Sequence, residues 1–340
     1  MNATPMLARV LKAAVQRGAS DLHAKAGDVF RARVEGTLVP LTKQRLTPAQ
    51  TRALAAMFAG LSPDDPRLDS LHDFDCSWGI PGVGRFRVNV LRQRSSFMMV
   101  LRVIPFSVPT PEGLGLPEVV TTFAEAEEGL LLIAGPSGSG KTSTIAALVH
   151  HINRSQQRHI LTLEDPIEFL HRDLSSSIAQ REIGTDTVDV AHGLQAARRQ
   201  DPDVIIIGDL REPAAIDRAI RAAESHCLVI AAVNAPDAAS ALFQLVAAMP
   251  VDERDIARFR LAGALRAVVA QRLLSRPKGG GRQLVVEWVE ATPALREAIA
   301  AGADAAPFRR AIEKAAKEGK AETFARAASE AGVDAAGPAR

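Results

Sequence analysis

The sequence predicts an α/β protein in two parts, a larger C-terminal part built on a parallel sheet and a smaller α+β part before it. Three observations carry this. Apolar runs at Leu130–Ala134, His159–Leu163, Val204–Ile207 and Leu228–Val233 are separated by helix-length stretches, the pattern of a parallel sheet covered by helices. The first run leads directly into Gly135-Pro136-Ser137-Gly138-Ser139-Gly140-Lys141-Thr142, which matches the phosphate-binding pattern G-x-x-x-x-G-K-[ST] at every fixed position. Pro105–Pro117 holds four prolines and two glycines, the punctuation of a linker. The expected organisation is a first domain over 1–104, a linker over 105–117 and a second domain over 118–340. A chain of 340 residues suits two domains.

The smaller part reads element by element. Leu7, Val10, Leu11, Ala14 and Val15 recur at helical spacing with Arg9, Lys12 and Arg17 between them, which predicts a helix packed on a core. Phe30–Val34, Glu35-Gly36 and Thr37–Val39 predict a hairpin. Thr47 before Pro48, followed by an apolar stripe to Phe58, predicts a capped helix. Phe86, Val88 and Val90 alternate with Arg85, Arg87 and Asn89, so Gly84–Val90 predicts a strand with an arginine face, and Ser96–Ile104 a further strand. Gly279–Gly281 is expected as a flexible turn and Ala335–Arg340 as a frayed tail.

Bulk properties exclude several functions. The 41 basic and 39 acidic residues leave a net charge of +2, without the polyelectrolyte signature of a nucleic-acid binder. Aromatics make up 4% and Tyr is absent, which argues against a base-stacking platform. The two cysteines, Cys76 and Cys227, form no C-x-x-C pair, so neither a zinc site nor a disulfide framework is expected, and a reducing compartment fits. No apolar run approaches the roughly 20 residues of a membrane span.

The phosphate loop sets the expected ligands as ATP with Mg²⁺. Backbone N–H groups of the loop, of which Pro136 has none, would curl around a phosphate, Lys141 would reach the β/γ-phosphates, and the Thr142 hydroxyl would sit on Mg²⁺. Ser143 continues into a helix whose N-terminus faces the anion. In open parallel sheets, ligands bind at the carboxyl ends of strands. Those ends here carry Glu164-Asp165, Gly208-Asp209 and Asn234. Phosphoanhydride hydrolysis needs a metal and a carboxylate that holds or deprotonates water. Asp209, after four β-branched residues, fits the metal or the water role, and it also fits a helix cap. Glu164 fits the same roles or a turn cap.

These residues resemble a known family, the bacterial secretion ATPases of type IV pili and type II secretion, most closely its pilus-retraction (PilT-like) branch. Gly18–His23, Arg33–Gly36, Gly84–Asn89 and Leu101–Pro105 resemble its N-domain segments. Leu161–His171 resembles its Asp box, Gln180–Gly184 and Arg199–Asp203 its approach to the Walker B strand, Ala270–Leu274 a downstream segment, and Thr292–Ile299 a helix characteristic of retraction motors. The resemblance implies a RecA-like P-loop NTPase C-terminal domain with C-terminal helices and a PAS-like N-terminal domain. It also implies a hexameric ring, either homomeric or mixed with a paralogue, in the cytoplasm, peripheral at the inner membrane and docked on a pilus platform protein. The implied work is ATP hydrolysis for pilus retraction and twitching motility. The alternatives are a weakly hydrolysing accessory paralogue and a type II secretion ATPase. N-domain arginines, best matched by Arg85, Arg87 and Arg102, would help neutralise the nucleotide phosphates. Without the resemblance, those arginines read as a solvated strand face.

The chain departs from the family at two motifs. Asp209 stands where the family has the Walker B glutamate, one methylene shorter. The family's two His-box histidines align with Cys227 and Asn234, and His226 lies one position early. Read as a strand position, that shift would turn His226 to the opposite face. The glycine that the family carries at position 226 is missing, which predicts a stiffer turn. These departures leave nucleotide binding better supported than fast hydrolysis.

Overall fold

The computed structural model describes residues 3–34, 36–104, 107–276, 282–302 and 304–333. The chain splits into two compact units, Met1–Ser107 and Val108–Arg340. Glu35 of the expected hairpin, Pro105 at the start of the expected linker, the Gly279–Gly281 turn and the Ala335–Arg340 tail lie outside the described residues.

The first unit runs α1 (Ala3–Gln16), β1 (Ala19–Lys25), β2 (Arg31–Val34), β3 (Thr37–Pro40), α2 (Pro48–Phe58), α3 (Arg67–Ser70), β4 (Asp73–Ile80), β5 (Gly84–Gln93) and β6 (Ser96–Ile104). Its six strands form one antiparallel sheet in the order β3-β2-β1-β6-β5-β4. Strand alternation sends Phe86, Val88 and Val90 to one face. There they join Leu22, Met99 and Leu101 in a core with Leu7 and Leu11 of α1 and Leu54 of α2. The predicted start of α2 holds: Thr47 accepts from the Gln50 backbone N–H, and the Gln50 side chain accepts from the Thr47 backbone N–H.

The second unit begins with α4 (Pro111–Leu114), which Thr110 caps by accepting from the Gly113 N–H at 3.1 Å, and α5 (Glu118–Ala124). Then come β7 (Gly129–Ala134), α6 (Lys141–Ser155), β8 (His159–Glu164), β9 (Ser177–Glu182), α7 (Val190–Ala197), β10 (Val204–Ile207), α8 (Pro213–Ala223), β11 (Leu228–Val233), α9 (Ala238–Ala248) and α10 (Arg254–Ala264). The chain closes with β12 (Leu265–Ser275), β13 (Arg282–Glu290), α11 (Pro293–Ala301), α12 (Ala305–Lys317), β14 (Ala321–Glu322) and α13 (Phe324–Glu330).

The sheet order is β14-β13-β12-β7-β11-β10-β8-β9. The strands from β12 to β9 are parallel, and β13 and β14 are antiparallel. Strands β7, β10 and β11 are buried at every position because apolar clusters cover both faces of the sheet. That two-sided burial is why they read as continuous apolar runs in the sequence. Each of the four expected strands is present. β10 lies between β8 and β11, and β11 lies beside β7, so the carboxyl ends that carry the candidate site residues adjoin one another.

Candidate nucleotide site

Strand β7 ends at Ala134, and the phosphate loop turns directly into α6. Two glycines of the loop have geometric reasons. A Cβ at Gly135 would stand 2.3 Å from Ser139 Oγ and 2.7 Å from the Gln271 carbonyl oxygen. Gly140, which precedes α6, has φ 91°, in the left-handed region that other residues rarely adopt. Ser137 and Gly138 are exposed, whereas Ser139 is buried. Lys141 is partly buried, and its Nζ donates to the carbonyls of Gly135 at 2.7 Å and Pro136 at 3.1 Å. Burial holds the Lys141 ammonium below its usual pKa, and the charge of Asp209 opposes that shift. The lysine and the carboxylate therefore feel each other across the loop. Thr142 and Ser143 follow in the first turn of α6.

The two candidate carboxylates differ in setting. Register pairs Ile207 with Leu163, so Gly208 lies beside Glu164 and Asp209 one residue further out. A Cβ on Gly208 would be 3.4 Å from the Glu164 Cα, an ordinary packing contact. Glu164 Oε1 accepts from Thr162 Oγ1 at 2.7 Å and Gln180 Nε2 at 3.1 Å. Burial raises the Glu164 pKa above its ordinary value. The hydrogen bonds from Thr162, Gln180 and the Glu168 backbone oppose that rise, and the Glu168 charge adds to it. Asp209 is half exposed, with the Arg211 guanidinium 3.5 Å away. A surface cavity of about 340 Å³ is lined by Asp209, Arg211 and Asn234, among others.

The structure corrects the reading of the His box. His226 and Cys227 precede β11, and Asn234 follows it. Six residues of strand separate them, about 20 Å at the usual rise. Only Asn234 is at the ligand end. His226 is in a turn at φ 57° with its ring exposed and Nδ1 2.9 Å from Glu128 Oε2, so no strand face decides where it points. This backbone conformation is one that favours the glycine the family carries there. Cys227 is buried, and burial, helped by the Asp203 charge, pushes its thiol up to about 12.

The three arginines share one face of the first unit's sheet. Arg85 and Arg87 alternate along β5, and Arg87 pairs directly with Arg102 on β6. Arg102 Nε donates to Asp21 Oδ1 at 3.0 Å, Arg87 lies 4.0 Å from Asp75, and Arg85 is half buried.

Polar residues that sequence reasoning missed hold these groups in place. Gln271, fully buried in β12, donates from Nε2 to the Ser139 carbonyl at 2.8 Å and so fixes the loop. Gln180 joins Glu164 to the Phe169 carbonyl and accepts from the His171 N–H. Both glutamines fall inside motifs visible in the sequence, but only the fold shows what they touch.

A glycine-rich loop that opens a helix at the end of a buried parallel strand, with carboxylates on neighbouring strand ends, defines a P-loop nucleotide-binding domain. A profile of the family described as "Type II/IV secretion system protein" matches residues 2–333, and the chain belongs to that family. It is 36% identical over 295 residues to the type IV pilus retraction ATPase PilT of Pseudomonas aeruginosa, covering 86% of this chain and 85% of that protein. It is also 36% identical over 296 residues to the type IV pilus ATPase PilU of the same organism, covering 86% and 77%. The crystal structure of the pilus retraction motor PilT with bound ADP superposes with a TM-score of 0.81 at 34% identity, covering 95% of this chain and 96% of that one. The fold is thus an N-terminal domain followed by a RecA-like domain.

Proposed function

We propose that this protein is an ATPase of the type IV pilus machinery that converts ATP and water to ADP and phosphate as the subunit of a hexameric ring and drives pilus retraction. The observation that carries this is the convergence of Lys141, Thr142, Glu164 and Asp209 at adjoining strand ends around the phosphate loop. Likeness to PilT and PilU supports the pilus role, and the ADP in the PilT structure supports the nucleotide.

In this reading the loop N–H groups and Lys141 bind the β- and γ-phosphates, and Glu164 or Asp209 orients or deprotonates the attacking water. Mg²⁺ fits the donor set: the Thr142 hydroxyl and Asp209 would hold it and the phosphates would complete its shell, offsetting their charge. Among the described residues no cluster of three His, Cys, Asp or Glu could hold a metal ion. Arg85, Arg87 and Arg102 would add positive charge at the phosphates. No helix among the described residues is long and apolar enough to cross a membrane. In our reading the ring works in the cytoplasm, against an inner-membrane platform protein.

A second reading, an accessory paralogue with weak hydrolysis, is favoured by Asp209 and Asn234 standing at the motif positions, and by equal identity to PilU. Steady-state phosphate release by the purified chain, wild type beside Lys141→Ala and Asp209→Glu, decides between them. Turnover that disappears with Lys141→Ala supports the motor. Nucleotide binding without turnover, restored by Asp209→Glu, supports the accessory subunit.

A further inference from the structure

Behind Glu164, on the side of α6 that faces the sheet, lies a cavity of about 20 Å³. Its polar lining comes from Thr142, Thr162, Glu164 and His171, and Ile145, Ala146, Val149 and Phe169 form apolar walls. That volume suits one water, which also needs two to four polar partners. His171 Nδ1 is buried and makes no hydrogen bond. A buried polar atom in that state is costly unless something reaches it. The His171 backbone N–H donates to Gln180 Oε1 at 2.9 Å, and the same glutamine reaches Glu164 from Nε2. Glu164 has a complementary shortage. A carboxylate has about four acceptor positions, and Thr162, Gln180 and the Glu168 backbone supply three donors.

We infer that His171 is a positioning residue: its Nδ1 anchors a single water that hydrogen-bonds the Glu164 carboxylate and the Thr142 hydroxyl, tying the phosphate-loop helix to the end of β8. Burial and the nearby His150 push the His171 pKa down to about 4, so the ring is neutral near pH 7 and can donate or accept at Nδ1. The water then sets the spacing between the threonine that follows Lys141 and the carboxylate expected to work on water. Spacing of this kind matters, because a misplacement of about 1 Å can cost on the order of a hundredfold in rate. Motif matching gives no reason for a histidine seven residues after Glu164, whereas the cavity does.

This inference rests on the hydrolytic reading for its effect on rate, but not for the water itself. The test pairs His171→Phe, which removes the polar atom, with His171→Asn, whose amide falls near the Nδ1 position. The expected result is a kcat for ATP lowered tenfold or more in His171→Phe with KM and ADP affinity within about twofold of wild type. His171→Asn should recover most of that loss. A kcat unchanged in His171→Phe, or one lowered equally in both variants, overturns the positioning role. A high-resolution crystal structure of the wild-type chain is the second arm. A water within hydrogen-bond distance of His171 Nδ1 and Glu164 supports the inference even where turnover is too slow to measure. An empty or apolar-filled cavity overturns it whatever the kinetics show. Wild type that binds ADP and shows the water but never hydrolyses ATP defeats the hydrolytic reading alone.

Discussion

The two ends of the parallel sheet use polar residues in opposite ways. At the carboxyl ends of β7, β8, β10 and β11, Ser137, Gly138, Asp209 and Asn234 are left exposed, and Lys141 and Glu164 are only partly covered. At the amino ends polar groups bond the fold's own backbone, even where, like Asp203, they are exposed. Asp203 accepts from the His159 N–H at 2.7 Å, its carbonyl accepts from the Leu228 N–H, and Cys227 is buried beside it. The contrast teaches that a motif spread along one strand must be divided by strand end before roles are assigned. Cys227 and Asn234 belong to one stretch of sequence but to opposite edges of the domain. Substitutions at the carboxyl end should move turnover and, apart from the buried charge of Glu164, leave stability nearly alone, and those at the amino end should do the reverse.

The largest effect is expected from Lys141→Ala. Removing a cation aimed at transferring phosphate should lower kcat/KM for ATP by about a thousandfold, measured as phosphate release. The melting temperature should hold, because the half-buried ammonium is disfavoured by desolvation in the folded state. A variant that still turns over would break the assignment of the carboxyl end.

Glu164→Gln should cost on the order of a hundredfold in kcat with ADP affinity retained, as expected when a general base or water-orienting carboxylate is lost. It should also change the pH dependence of stability. The folded-state pKa of Glu164 is raised above 4.5, so the native state holds its proton more tightly than the unfolded chain does. Its contribution is fully present below the unfolded pKa and is lost as pH rises through the folded value. Relative to wild type, Glu164→Gln should therefore gain stability as pH rises from about 4.5 towards neutrality. A flat difference across that window in chemical denaturation would show that Glu164 is ionised as easily as a surface carboxylate.

Asp209→Glu sharpens the choice between the two carboxylates. Lengthening the side chain by one methylene at a half-exposed strand end costs little in packing and extends the carboxylate towards the phosphates. The expected gain in kcat is about tenfold, within what a shift of about 1 Å commands. A loss instead would mean that the pocket with Asn234 is already fitted to aspartate.

Much of this was legible because burial writes itself into sequence. β7, β10 and β11 are covered on both faces and so appear as unbroken apolar runs. The loop is legible because Gly135 and Gly140 have steric reasons to be glycine. β4 and β9 were not legible, since each is an edge strand whose half-exposed residues include Asp75, Ser77, Gln180 and Arg181. Gln271 was read only as part of a motif, because its partner at Ser139 is 132 residues away in sequence. His171 was hidden for a different reason. A cavity that four side chains share has no periodicity. The arginine face was half legible: alternation put Arg85 and Arg87 together, and strand pairing was needed to set Arg102 opposite Arg87.

The smallest effects belong to the amino end. Cys227→Ala should destabilise by about 1 kcal/mol, since a buried group is removed from a packed site, with turnover within twofold of wild type. His226 gives a finer test of the turn itself. At φ 57° a side chain is strained by roughly 1 kcal/mol, and the exposed pair with Glu128 returns little of it. His226→Gly relieves the strain but gives the unfolded chain more freedom, so its net change should be under about 1 kcal/mol. His226→Ala keeps the strain and loses the pair. The informative quantity is the difference between the two variants in urea denaturation, with glycine expected to be the more stable by about 1 kcal/mol. If alanine matches glycine, position 226 does not adopt the left-handed conformation, and the family's glycine there is not explained by backbone geometry. If either variant changes kcat more than twofold, the two ends of β11 are coupled, and the division between ligand end and packing end fails at this strand.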